Sequence, residues 1–558
     1  MSSFSITITR QLDITPTTFF WVYLPKRKLI RSNLITPQPF GEGIMNTIHL
    51  KTLALSATLV FSLTANADKY QKPDLGSFLE EFHQNPAQVM DQLPPKTEQL
   101  NKKQSKPFDE ASLEGNKFVE GKDQTRKDIC KLEDGKKLCV GDITGRAGFE
   151  SNDLAENLVD SGKRHIRNLS EMDQKELQSA KLSVRPWSDD YWAIARGVLG
   201  YRYGEDSKNE GHDWKEHKDY VVANPTKEYL AAEDINFLSP SEKYDILVGD
   251  ANFTLTNKMW TEGQGYYERS GKVETWMGIC HGWAPAAYML ERPTGVADVI
   301  AADGKTELRF YPADIKGLAS LLWAKARTYS RFVGGRCNTK DPKKDENGRI
   351  LDQDCFDTNP GTWHKSVVNQ IGVSDRSFII DATYDYEVWN QPVYSYKARY
   401  FNVQTSKTSE KWQDAKVRVA DYTKDKFKSY RDSKATYIVG VEIYFQYIAE
   451  TSPSQSTTNS EDEDYVAGVT YRYDLEVDYR GNIIGGEWYS NAHPDFLWTP
   501  TPEGKARSRV DDYVKGQWRD GKALPFLWKR VAPYASREGL PLEKVIDGLI
   551  ERSRAVKN

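Results

Sequence analysis

Two runs in the second half of the chain alternate apolar and polar residues with a period of two, and no other feature limits the fold as strongly. They cover residues 437–447 and 469–479. Their apolar positions are Tyr437, Val439, Val441, Ile443, Phe445 and Tyr447, then Val469, Tyr471, Tyr473, Leu475, Val477 and Tyr479. Successive side chains of a strand point to opposite faces, so the pattern predicts two half-buried strands.

Helical signals come earlier in the chain. Residues 239–242 read Ser-Pro-Ser-Glu, a capping box with proline at the first helical position, and Gly249 stands where such a helix would stop, which predicts a helix at 240–248. Apolar residues recur at helical spacing over 312–327 and predict a second helix. Helices followed by strands, without a βαβ repeat or a glycine-rich phosphate loop, predict an α+β fold.

The chain divides by composition into four segments. From Met45 a basic start, an apolar run and a small-x-small site ending at Ala67 form a secretory signal peptide at 45–67. Residues 1–44 then read as a mis-annotated extension, 68–172 as a polar leader or pro-segment, and 173–558 as the catalytic domain. The alternative is a membrane anchor, but the apolar run is about a dozen residues, short of the roughly 20 that a spanning helix needs.

Export and charge together limit the possible partners. We expect a protein secreted to the periplasm or the medium after cleavage near Ala67, without a membrane span. The whole chain carries 76 basic and 80 acidic side chains, a net charge of −4. No basic face dominates, which argues against a nucleic-acid-binding protein.

The five cysteines predict two disulfides and one free thiol. Cys130 and Cys139 flank an Asp-Gly hairpin turn whose register places them opposite each other, within disulfide reach. Cys337 and Cys355 flank a polar loop that a covalent bridge would stabilise most. Cys280 is left over, as an intermolecular link or a reactive group.

Cys280 opens a run rich in alanine and aromatic residues that predicts the start of a buried helix. The positive end of the peptide dipoles lies at a helix N-terminus, where the pKa of a cysteine can fall from about 8.5 into roughly the 3.5–7.5 range. This favours a nucleophile. The alternative is a buried, inert cysteine.

A base and its orienting acid can be proposed downstream. His364 opens a segment that reads as a strand, and Asp381 emerges from the apolar strand Phe378–Ile380, where burial is unfavourable without a partner. Two such strands facing the helix of Cys280 would form a papain-like triad. Alternatively His364 is a core histidine and Asp381 a turn residue. His493 is the rival base, although the proline after it suggests a turn.

Two long motifs resemble one known family. VETWMGICHGWAPAAYML around Cys280, and FIIDATYDYEVWNQPV around Asp381, are similar to the transglutaminase elicitor family, the oomycete cell-wall proteins and their bacterial relatives. Within the second motif, residues 388–393 resemble the surface peptide of that family that plants perceive as a pathogen signal. The resemblance spans about residues 180 to 500.

The resemblance implies a fold, an activity and roles for three residues. The fold implied is a papain-like or transglutaminase-type core, with the nucleophile at a helix N-terminus packed on an antiparallel sheet that carries the histidine and the aspartate. Cys280, His364 and Asp381 then match the family's catalytic residues. The activity implied is calcium-dependent transfer of protein glutamine acyl groups, through a cysteine thioester, to lysines or small primary amines.

The chemistry itself requires no cofactor, and the candidate calcium loop has two interpretations. In KKDENGRILDQD, ligand-type residues follow EF-hand-like offsets, but Lys343 occupies the first ligand position. The alternative is that this segment is an ordinary Asn-Gly turn within a disulfide loop.

Two other functions fit the residues. A secreted cysteine protease or amidase would use the same triad with water as the acceptor. A non-catalytic cell-surface binding protein would leave Cys280 unreactive or disulfide-bonded.

Overall fold

A computed structural model describes residues 153–160, 164–205, 211–334, 343, 358–382, 388–489 and 493–555, and the backbone of two short strands at 130–133 and 136–139. The predicted extension and signal peptide lie outside these ranges.

Helices dominate the first half of the described chain and strands the second half. The helices are α1 (Leu169–Gln174), α2 (Trp214–Ala223), α3 (Thr226–Ala231), α4 (Pro240–Val248), α5 (Thr254–Ser270), α6 (Cys280–Met289), α7 (Pro312–Lys325), α8 (Pro360–Val367), α9 (Trp412–Ala415), α10 (Phe526–Arg537) and α11 (Glu543–Arg554). The strands are β1 (Cys130–Glu133), β2 (Lys136–Cys139), β3 (Ser179–Lys181), β4 (Ala297–Ile300), β5 (Glu307–Phe310), β6 (Ser330–Gly334), β7 (Ile379–Asp381), β8 (Asn390–Phe401), β9 (Thr408–Ser409), β10 (Val417–Arg418), β11 (Tyr437–Ala449), β12 (Tyr465–Val477), β13 (Ile483–Trp488) and β14 (Phe496–Pro500).

The main sheet is antiparallel and follows the order β13-β12-β11-β8-β7-β14-β6. β8 connects its two parts: residues Asn390–Pro392 pair with β7, and Val393–Phe401 pair with β11. The short strands β3 and β9 extend the β7 side of β8, and β10 pairs with β11. Helices together with an antiparallel sheet confirm the predicted α+β class.

The two strands predicted from the period-two pattern are β11 and β12, which pair with each other along their whole length. β11 is buried on both faces over most of its length, so the prediction of a half-buried strand was wrong there, whereas β12 keeps Thr470 exposed and Arg472 partly exposed. The second face carries Glu442, Asp474 and Glu476, all fully buried, and Arg431 forms ion pairs with the last two. Charged residues alternate with apolar ones here because buried charges pair with each other, not because one face meets water.

Both predicted helices are present. α4 has the expected capping box between Ser239 and Glu242, and its C-terminal Gly249 adopts φ 75°, a conformation that glycine reaches without strain. α7 covers the second predicted helix and packs closely on α6. A Cβ at Gly282 of α6 would lie 2.1 Å from the carbonyl oxygen of Ser320 in α7, so the helices can approach this closely only with glycine there.

Packed structure begins before residue 173, the predicted start of the catalytic domain. Residues 153–160 and α1 contribute buried apolar side chains, and β3 adds to the sheet. The backbone N–H of Ile166 donates to Asn369 at 2.8 Å. The last part of the predicted leader is therefore integrated into the fold; the rest lies outside the described residues, except for the β1–β2 hairpin.

Candidate active site

Cys280 is the first residue of α6, as predicted, and it is buried. The preceding residue is anchored, because the N–H of Ile279 donates to the carbonyl of Tyr191 at 2.7 Å. The carbonyl of Ile279 accepts the first N–H groups of the helix, from Gly282 and Trp283. The sulfur is thus fixed at the point where the helix begins.

The chain that enters β8 lies beside this sulfur. The Cys280 thiol donates to the carbonyl of Val388, with 3.7 Å between sulfur and oxygen. The side-chain amide of Asn390 donates to the sulfur from 3.5 Å, while its Oδ1 accepts from the indole Nε1 of Trp498 at 2.8 Å. Residues from a helix and two strands therefore meet at the thiol.

Asp381 ends β7, the strand predicted for it, and is buried. It lies opposite Asn390 in the β7–β8 register, and its Oδ1 accepts the backbone N–H of Trp389 at 3.0 Å. Its negative charge acts on the Cys280 thiol. The structure thus brings two of the three predicted triad residues into one neighbourhood.

The residues between Trp389 and Val393 are buried. This corrects the expectation, drawn from the resemblance, that the segment is a surface peptide. Pairing of β8 with both β7 and β11 places its start inside the sheet, where it supplies Asn390 to the thiol.

The electrostatics of the thiol differ from the prediction. Burial raises the pKa of Cys280 to about 11, and the charges of Glu450 and Asp381 add to the rise, against the hydrogen bonds from Asn390 that lower it. The expected lowering by the helix dipole is therefore wrong for this conformation, because desolvation by burial outweighs the effect of one helix end. The thiol is protonated at neutral pH.

Glu450 is a site residue that the sequence reasoning missed. It follows β11, is fully buried, and accepts a hydrogen bond from Gln391 at 2.6 Å. Burial raises its pKa to about 8, and the charge of Asp190 adds to that rise. A signal was available: an acid directly after an apolar strand run had drawn attention to Asp381, and Glu450 follows Ile448-Ala449 in the same way.

His364 lies on α8, so its assignment to a strand was wrong. The helix begins after Asn359, whose side chain caps the N–H of Gly361, with Pro360 at the first helical position. Asn359 and Pro360 are a helix-start signal in the sequence, but the short apolar run that follows them also fits a strand. The chain continues as a π-helical turn over Val368–Val373.

The imidazole of His364 is buried and hydrogen-bonded to a tyrosine. Its Nδ1 lies 2.8 Å from the hydroxyl of Tyr473, and burial lowers its pKa to about 3. Burial, and after it the charge of Asp381, raises the pKa of Tyr471, which lies two residues from Tyr473 on β12. No hydrogen bond within the described ranges joins His364 to the other two triad residues.

Two other histidines were weighed from the sequence. His281 follows the nucleophile on α6 and is exposed. His493, the rival base, is buried just before β14 and stacks on Trp488 with ring centroids 4.5 Å apart.

The backbone of the β1–β2 hairpin has the predicted register, with Cys130 opposite Cys139. The bridge between them remains a prediction, since their side chains lie outside the described atoms. Cys337 and Cys355 are likewise outside the described residues.

Calcium binding remains a prediction. Among the residues with described side chains, no group of three or more His, Cys, Asp or Glu is arranged to hold a metal ion. The loop proposed from its offsets lies outside them, apart from Lys343, which is exposed. A lysine ammonium at the first ligand position does not fit a cation.

No helix in the described ranges is long and apolar enough to cross a membrane.

Comparison with known proteins gives one family and one solved structure. Residues 163–512 match the family described as transglutaminase elicitor. The crystal structure of the GP42 transglutaminase from Phytophthora sojae is 20% identical, with a TM-score of 0.44, over 67% of this chain and 94% of that one. No curated protein matches the sequence.

Proposed function

This chain belongs to the transglutaminase elicitor family, and from that membership we propose that it is a protein-glutamine γ-glutamyltransferase. Its acyl donors are glutamine side chains of proteins, and its acceptors are lysines or small primary amines. Cys280 carries the acyl group between them as a thioester.

One observation supports this proposal most directly. The single cysteine with a described side chain is the first residue of a buried helix, and its sulfur is contacted by Asn390 while the charge of Asp381 reaches it. A merely structural cysteine would be expected among apolar side chains. Here polar groups from two strands converge on it.

The reaction has two steps. The Cys280 thiolate adds to the glutamine carboxamide carbon; a carbon–sulfur bond forms, the carbon–nitrogen bond breaks, and ammonia leaves after receiving a proton. A neutral amine then attacks the thioester, and the sulfur departs and regains a proton. The burial of Cys280 favours an amine over water as acceptor, because the site excludes bulk water.

The base is assigned by sequence rather than by contact. His364 is the proposed base, with Asp381 as the residue that orients it; His493 is the rival. The resting structure binds His364 to Tyr473 and keeps the thiol protonated. Since Nδ1 is hydrogen-bonded to that hydroxyl, the nitrogen proposed to act as the base is Nε2.

Incorporation of a fluorescent primary amine into a glutamine-rich protein tests the function. We expect wild type to label the acceptor, Cys280→Ala to be inactive, and Cys280→Ser to lose nearly all activity because a hydroxyl is a much weaker nucleophile. His364→Asn and His493→Asn, compared under the same conditions, identify the base. Ammonia release or new N-termini without amine incorporation would favour a protease or amidase instead.

A non-catalytic role is the second candidate, favoured by the protonated thiol and by the engagement of His364 with Tyr473. It predicts that wild type neither labels the acceptor nor reacts with iodoacetamide at Cys280.

Export is part of the proposal. The signal at 45–67 would direct the protein out of the cytoplasm, where protein substrates bearing glutamine and lysine are accessible. Sequencing the N-terminus of the exported protein would check cleavage after Ala67.

A further inference from the structure

The proposed nucleophile is contacted by a side-chain amide to which neither the sequence nor the family membership assigned a role. We propose that Asn390 is a further catalytic residue, whose amide N–H donates to the Cys280 sulfur, and that Trp498 is the positioning residue that fixes the direction of that amide. The inference rests on the proposed function, since it concerns the nucleophile of that reaction.

The chemistry of the partners fixes which end of the amide meets the sulfur. An indole Nε1–H can only donate, so it requires the Oδ1 of Asn390, which it contacts at 2.8 Å. The amide nitrogen then faces the sulfur at 3.5 Å. Turning the amide over would set its N–H₂ against the indole N–H and its oxygen against the thiolate, and both contacts repel.

Asn390 and Trp498 are held by the sheet. Asn390 pairs with Asp381 across β7 and β8, and Trp498 pairs with Ile379 across β7 and β14. β7 therefore lies between the strand of Asn390 and the strand of Trp498. Asn390 is buried. A donor held in this way needs little reorganisation when charge develops on the sulfur.

Ionisation of the thiol changes its hydrogen bonds. The thiol donates to the carbonyl of Val388, and the thiolate has no proton for that bond. Asn390 remains as a donor, through its side chain and its backbone N–H, and both contacts lower the pKa of Cys280 against the effect of burial. Asn390 thus stabilises the form of the sulfur that attacks.

Alkylation of Cys280 by iodoacetamide, followed at pH 8 by peptide mass spectrometry, tests the pair without requiring transferase activity. Asn390→Leu keeps the side-chain shape and removes the donor. We expect alkylation about tenfold slower than in wild type, the change produced by losing one hydrogen bond to a charged group. Trp498→Phe keeps a ring and loses the N–H; we expect a rate between those of Asn390→Leu and wild type.

The double variant separates a positioning role from a structural one. If Trp498 acts only through the amide, Asn390→Leu with Trp498→Phe is no slower than Asn390→Leu alone. Trp412→Phe is the matched control, because it removes the indole hydrogen bond to Ser170 outside the site. We expect that control to react at the wild-type rate.

Equal alkylation rates for folded Trp498→Phe and wild type would overturn the inference, even if Asn390→Leu did not fold. The inference would also be overturned if the double variant were alkylated more slowly than wild type by the product of the two factors measured for the single variants. Loss of amine incorporation in Cys280→Ala, with unchanged alkylation in both single variants, would refute this inference and leave the proposed function standing. Absence of amine incorporation in wild type, with the expected alkylation rates, would refute the proposed function and leave the hydrogen bond from Asn390 to Cys280 standing.

Discussion

Lowering the pH from 7 to 5 is expected to destabilise this protein by about 2 kcal/mol through one imidazole, that of His364. Burial lowers its pKa from 6.5 to about 3 in the folded protein. The unfolded chain takes up the proton near pH 6.5 and the folded protein does not, so the unfolded state binds more protons below pH 6.5 and stability falls with pH. At pH 5 the difference is about 1.5 pH units, at about 1.4 kcal/mol each.

The assay is urea unfolding at pH 7 and pH 5 of wild type and His364→Asn. Asparagine does not titrate and places an amide near the position of Nδ1, so the hydroxyl of Tyr473 keeps a partner. We expect wild type to lose about 2 kcal/mol more than the variant on acidification. His212→Asn, at an exposed histidine, is the matched control and should follow wild type.

Equal losses of stability in wild type and His364→Asn would refute the reasoning. They would mean that the imidazole accepts a proton in the folded protein, which requires water or a carboxylate near it. That result would also remove one obstacle to its role as the base, because a histidine that protonates ammonia must exist as the imidazolium.

Three further variants have expected outcomes. Glu450→Gln will remove a loss of about 3 kcal/mol that wild type shows in urea unfolding between pH 6 and 9, since the folded pKa of Glu450 is about 8 and its stabilisation disappears as the pH rises through that value. The same variant will speed alkylation of Cys280 at pH 9, because it removes the nearby charge that raises the thiol pKa; an unchanged rate would contradict this. Gly282→Ala will lower the unfolding free energy by about 1–3 kcal/mol despite the better helix propensity of alanine, because its methyl group meets the carbonyl of Ser320. Trp363→Ala will cost about 3–5 kcal/mol in the same assay, as expected for a buried tryptophan; a loss below 1 kcal/mol would show that the core closes over the cavity.

Features that depend on neighbouring residues could be predicted from the sequence. The helix of 240–248 follows from a capping box and a C-terminal glycine, the β1–β2 register from an Asp-Gly turn, and β11 and β12 from alternation. The helix that begins at Cys280 and the strand that ends at Asp381 could also be predicted from neighbouring residues. Membership of the transglutaminase elicitor family also followed from two motifs.

The sequence left His364 on the wrong kind of element because its short apolar run fits a strand and a helix equally well, and packing decides between them. It also could not give the burial of both faces of β11 and of the last residues of β12. That depends on charged side chains that pair after the chain has folded, such as Arg431 with Asp474.

By itself the sequence determined which residue is the candidate nucleophile and which local elements carry it and Asp381, because capping, turn chemistry and periodicity act over a few residues. Only the tertiary structure decided the state of that nucleophile. Asn390 lies 110 residues from Cys280, and Trp498 lies 108 residues beyond Asn390. Desolvation and hydrogen bonding act through space, so the protonation of the thiol and the partner of each imidazole are set by contacts that sequence spacing does not encode.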